Sequence, residues 1–141
     1  MRDKVIRILW DPPINILDAI LNPVTSRKGL YYITRLYGDK ERSLYLGQSG
    51  TSIKSRLMSH LYWTNLYRGK ILVRLGKIIY PRNASEEVID HAESAIIYQH
   101  GHFFGENTCK IYSYSYNELY RVENIGNIYQ LCPVIRMHEQ S

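Results

Sequence analysis

The stretch that most constrains this chain runs from Gly29 to His60, GLYYITRLYGDKERSLYLGQSGTSIKSRLMSH. Gly29 to Ile33 and Leu44 to Gly47 have the apolar and aromatic content of paired strands, and Gly38-Asp39-Lys40-Glu41 between them is a turn signal, so a β-hairpin is predicted. Thr51 or Ser52 then offers an N-cap. From there Ile53, Leu57 and Leu61 recur every fourth residue, which marks the apolar face of a helix. Arg56 and His60 share that spacing at the edge of the face.

The flanking segments read as additions to this unit. Val5 to Trp10 is a candidate strand and Ile14 to Leu21 a short apolar helix, punctuated by Asp11-Pro12-Pro13 and Asn22-Pro23. Their large apolar side chains predict a segment packed on the core. Beyond the first long helix, Lys70 to Tyr80 is β-branched and partly alternating, so a third strand is expected, ended by Pro81. Asn83 with Glu86 reads as a capping box for a helix whose apolar stripe is Val88, Ile89, Ala92, Ala95 and Ile96, with Glu93 on the margin of that stripe. Further on, Ile111 to Tyr116 alternates with period two and reads as a half-buried strand, with a stacking platform for bases as the alternative. Asn117 to Val122 is expected to be helical and Ile128 to Met137 extended.

Length and charge bound the function. At 141 residues the chain is expected to be one domain with a core large enough to need no disulfide. Cys109 and Cys132 stand alone, and His91, His100 and His102 lack ligand spacing, so no zinc finger is encoded and reduced thiols in a cytoplasmic protein are expected. The N-terminal apolar run is too short for a signal peptide core or a membrane span. The net charge of +5 is unevenly spread: Thr25 to Arg82 holds twelve basic and two acidic residues, net +10, and the remainder is net −5. So one-sided a field suits a polyanion, and phosphate backbone is the commonest one. A solvated basic face with no partner is the plainer reading.

Taken in order, these residues resemble the GIY-YIG nuclease family. Gly29-Leu30-Tyr31 stands for the first half of that name and Tyr45-Leu46-Gly47 for the second. The family's helical arginine falls on Arg56, a histidine one turn later on His60, a glutamate of a later helix on Glu93, and an asparagine after it on Asn107. Both central isoleucines are leucine here, a volume-conserving exchange. The interval from Tyr45 to Arg56 is one residue longer than in most members, which leaves Lys54 as the alternative for the arginine's place. The resemblance, with the element reading, implies an α/β (α+β) fold: a small, mainly antiparallel three-stranded sheet flanked by helices. Residues 29–110 would form the core, 1–28 an N-terminal extension and 111–141 a C-terminal one, within a single structural domain.

Phosphodiester hydrolysis needs an activated water, stabilisation of charge on phosphate oxygens and help for the leaving oxygen. Glu93 supplies one hard carboxylate oxygen, enough for Mg²⁺ (or Mn²⁺) because such an ion keeps several waters; the lack of a dense carboxylate cluster argues against a two-metal site. Arg56 offers a planar, permanently charged fork matched to phosphate. By resemblance Tyr31 is the general base, which requires positive charge from Arg56, the metal or Lys54 to lower a phenol pKa of about 10. Tyr45 is then a hydrogen-bonding organiser, His60 a proton-transfer or phosphate group, and Asn107 a tie to the helix end. Arg27, Lys28, Lys54, Arg68, Lys70 and Arg74 are the expected contacts to nucleic acid. The expectation is a metal-dependent endonuclease, DNA favoured over RNA, with a homodimer as one way to add recognition. A catalytically silent nucleic-acid-binding module is the alternative, and a protein-interaction module a weaker one. Taken singly, each residue has a duller role: strand aromatic, surface arginine, solvated glutamate, packed histidine, turn asparagine.

Overall fold

The structure, a computed structural model, describes residues 4–100, 104 and 120–136. Its elements are β1 (Lys4–Trp10), β2 (Ile14–Asn15), α1 (Ile16–Leu21), a 3₁₀ turn (Pro23–Ser26), β3 (Gly29–Tyr37), β4 (Lys40–Ser49), α2 (Ile53–Thr64), β5 (Lys70–Tyr80), α3 (Glu86–His100), β6 (Tyr120–Gly126) and β7 (Val134–Arg136). The hairpin, the helix after it and the third strand stand where the sequence patterns place them.

The expected three-stranded sheet is too narrow. Strands β4, β3 and β5 do form an antiparallel trio, but the described residues form a sheet of seven strands in the order β4-β3-β5-β1-β6-β7, with β2 paired to β5 off that path. Both flanking segments therefore complete the sheet. β1 pairs antiparallel with β5 and parallel with β6. The physical reason is that β5 left alone would expose an open ladder of backbone donors and acceptors. Covering it also buries Ile6, Ile8 and Trp10, all at most 1% exposed. Burial of such side chains is worth about 1.5–3 kcal/mol each. Trp10 donates its indole N–H to Asn124 Oδ1 at 2.9 Å and Asn124 Nδ2 donates to the Cys132 carbonyl at 2.9 Å, so the buried polar atoms that join β1 to β6 are satisfied.

Three further expectations change. Residues 120–122, read as helical, begin β6, because pairing along β1 overrides a weak local preference. The cap of α3 is Ser85, whose Oγ accepts from Val88 N at 3.2 Å; Asn83 instead takes a left-handed turn conformation with φ 53°. Within 128–136 only Val134–Arg136 is strand. The alternating tyrosines of 111–116 and Cys109 lie outside the described residues.

Helices cover both faces of the sheet. Strand alternation sends Leu30 and Tyr32 to one face, where Leu46, Trp10 and the Ile89, Ala92 and Ile96 stripe of α3 pack. Tyr31 and Ile33 go to the other, against Ile53 and Leu57 of α2 and Ile16 and Ala19 of α1. This explains why four consecutive residues, Leu30 to Ile33, are all fully buried. Among the described residues, no helix is long and apolar enough to cross a membrane.

Candidate active site at the edge of the sheet

β4 is an edge strand, and Tyr31, Tyr45, Arg56 and His60 gather beside it. Tyr31 on β3 lies opposite Gly47 on β4. A Cβ at Gly47 would fall 2.5 Å from both Cζ and Oη of Tyr31 and 2.7 Å from Cε2 of Tyr45. Only glycine lets the Tyr31 ring lie flat across the neighbouring strand and carry its hydroxyl to the edge. The Tyr31 and Tyr45 rings are stacked, with centroids 6.0 Å apart and planes 22° apart.

Helix α2 brings its own groups to the same place. Its cap, Ser52, accepts from Ser55 N at 3.5 Å, and Ile53 and Leu57 bury the inward face. His60, one turn after Arg56, meets Tyr31 Oη through Nε2 at 2.8 Å and lies 4.5 Å, centroid to centroid, from the Tyr45 ring. Trp63 donates its indole N–H to His60 Nδ1 at 2.9 Å. Indole nitrogen is only a donor, so the neutral imidazole carries its proton on Nε2 and donates it to Tyr31 Oη. Burial, and after it the nearby Arg56 charge, lowers the His60 pKa to about 4. The ring is therefore neutral at pH 7.

Arg56 stands close enough to Tyr31 and Tyr45 for both to raise its pKa. Lys54 is exposed. Tyr31 Oη accepts from His60 Nε2 and feels the nearby Arg56 charge. Even so its pKa is raised well above the ordinary phenol value: burial dominates, Tyr45 and Glu93 add to it, and Arg56 opposes it without prevailing. Glu93, 9% exposed on α3, is close enough for its charge to act on that phenol. Among the described residues no group of three or more His, Cys, Asp or Glu side chains converges on a point where a metal ion would sit. Glu93 offers a single carboxylate, which would serve an ion that fills its shell with water and phosphate, as Mg²⁺ does. Asn107 lies outside the described residues.

The expected nucleic-acid contacts divide. Arg27, Lys28, Lys54, Arg68 and Lys70 are exposed. Lys28 Nζ donates to the Ala84 carbonyl at 2.5 Å. Arg74 is a correction: it is 6% exposed, pairs with Glu41 at 2.6 Å, donates to Thr34 Oγ1 at 3.2 Å and lies over the rings of Tyr32 and Tyr129. Burial alone would raise the Glu41 carboxyl, but hydrogen bonds from Arg74 and Thr34 hold it below the usual range. Arg74 is thus an interior ion pair on the α3 face and offers nothing to a phosphate backbone. Trp63 was not singled out by sequence reasoning, although its place three residues after His60 on a helix is the signal that puts the two side chains in contact.

No known family model, no curated protein and no solved structure matches the chain.

Proposed function

We infer that this protein is a metal-dependent endonuclease of GIY-YIG type, hydrolysing phosphodiester bonds of nucleic acid, DNA before RNA. The observation that carries the reading is the convergence of Tyr31, Tyr45, Arg56 and His60 beside the edge strand β4, within electrostatic reach of Glu93. Arg56 is the group to receive the scissile phosphate, since its fork is planar and always charged. His60, locked as the Nε2–H form by Trp63, holds the Tyr31 oxygen in place and cannot itself take a proton at neutral pH. Tyr31 serves as base only when more positive charge joins Arg56 at its oxygen. Glu93 is the residue that would hold Mg²⁺ (or Mn²⁺), which when bound supplies Lewis-acid stabilisation of phosphate charge.

A second reading, a silent nucleic-acid binder, draws on Tyr31 being 0% exposed with its proton held tightly. One experiment separates the two. Nicking of supercoiled DNA and gel-shift affinity are measured with and without Mg²⁺ for the parent, Glu93→Gln and Tyr31→Phe. The nuclease reading expects Mg²⁺-dependent nicking in the parent, lost by roughly a hundredfold or more in each variant, with binding retained. Equal activity in Glu93→Gln removes the one-metal mechanism, and a parent that binds without cutting establishes the silent binder.

A further inference from the structure

A continuous line of rings and one guanidinium leads away from the candidate site along the α2 face of β3. Tyr45 meets His60 at 4.5 Å, His60 meets Trp63 at 5.5 Å, and Trp63 meets Tyr67 at 6.1 Å between centroids. The Arg35 guanidinium then stands 5.5 Å from the Tyr67 ring and 4.9 Å from the Tyr37 ring, with Nε donating to the Arg68 carbonyl at 2.6 Å. From Tyr31 to Tyr37 along the strand this covers about 20 Å at the usual rise per residue.

Two features set this line apart from ordinary core. First, it comes out of the core rather than closing into it: Trp63 and Tyr67 are partly exposed, and Tyr37 at its end is 53% exposed. The Trp63–Tyr67 pair is edge-to-face at 78°, which occupies a face of only one of the two rings. Second, its charges are arranged against the stability of the sheet. Arg35 lies directly opposite Arg42 on β4. Like charges facing each other across strands are unfavourable unless an anion comes between them.

Aromatic faces grouped around a guanidinium beside a phosphodiester site suit one ligand class. Every base has a π-face, and its backbone carries one negative charge per nucleotide. Resting on the nuclease reading above, we propose that the substrate is unpaired on one side of the scissile bond, and that its bases stack along Trp63, Tyr67, Arg35 and Tyr37. The chain then acts on single strands or on the open arms of branched or frayed duplexes, and this track, not base-edge contacts, selects them.

The test uses tryptophan emission, since the chain has two tryptophans and Trp10 is 1% exposed. Oligo(dT) and a blunt duplex of equal length are titrated without metal into the parent, Trp63→Phe and Tyr37→Ala, the last at a position too exposed to threaten folding. Oligo(dT) is expected to quench the parent and not Trp63→Phe. Tyr37→Ala should weaken oligo(dT) binding by about five- to a hundredfold while leaving the salt slope and duplex affinity unchanged. Equal affinity for the two ligands, or indifference to Tyr37→Ala, overturns the track. Cleavage with Mg²⁺ is scored separately: intact stacking with no cutting keeps the track and overturns the nuclease reading, whereas cutting of duplex without stacking does the reverse. No binding to either ligand overturns both.

Discussion

At Nδ1, His60 accepts the Trp63 indole N–H at 2.9 Å, so protonating the ring would set two N–H groups against each other beside a charged Arg56. A group whose folded pKa is about 4, against an ordinary 6.5, favours folding fully above pH 6.5 and loses that contribution as pH falls toward 4. Unfolding free energies, compared at pH 7 and pH 4.5, should therefore fall more in the parent than in His60→Gln, by roughly 1–2 kcal/mol after allowance for solvent screening. His100, also lowered by burial, acts in the same direction, so the variant keeps part of the fall. Curves that coincide would show that His60 is not held neutral. Sequence spacing placed His60 on the right helix face, but its tautomer depends on Trp63 and Tyr31 at once, and one of those partners sits on another element.

The hairpin of β3 and β4 acts as one unit because Gly47 has no side chain. Gly47→Ala inserts a methyl group where the Tyr31 Cζ and Oη stand 2.5 Å away, and overpacking of that kind costs about 1–3 kcal/mol. Its larger effect should be on function: Tyr31 must move, the 2.8 Å link to His60 breaks, and nicking should drop at least tenfold. Gly38→Ala is the control. It lies in the turn at φ 62° with nothing within 4 Å, so it should lower stability by about 1 kcal/mol and leave activity intact. Matching losses in the two variants would mean that Gly47 matters only for stability. The hairpin and α2 were legible because turn residues and a four-residue apolar period are local signals. The reason for glycine at position 47 was not, since the ring that fills its space comes from across the ladder.

Over the whole molecule, the basic segment gives a salt test. If Arg68 and Lys70 touch phosphate, each alanine substitution should weaken binding to all sequences alike and reduce the salt slope by about one charge. Arg74→Met should leave the slope alone and destabilise the fold by about 3 kcal/mol, because it strands the partly buried Glu41 without its partner. A slope change in Arg74→Met of the size seen for Arg68→Ala would mean that Arg74 leaves its ion pair to bind nucleic acid. Sequence alone determined the α/β character, the hairpin-helix-strand order, the apolar faces and the types of group that can handle phosphate, because each is written in local period and chemistry. Only the tertiary structure decided the seven-stranded width, the parallel pairing of β1 with β6, the burial of Arg74 and the aromatic line from Tyr45 to Tyr37. Those features join residues distant in the chain, and an open strand edge or an unpaired charge chooses its partner by what the fold brings within reach.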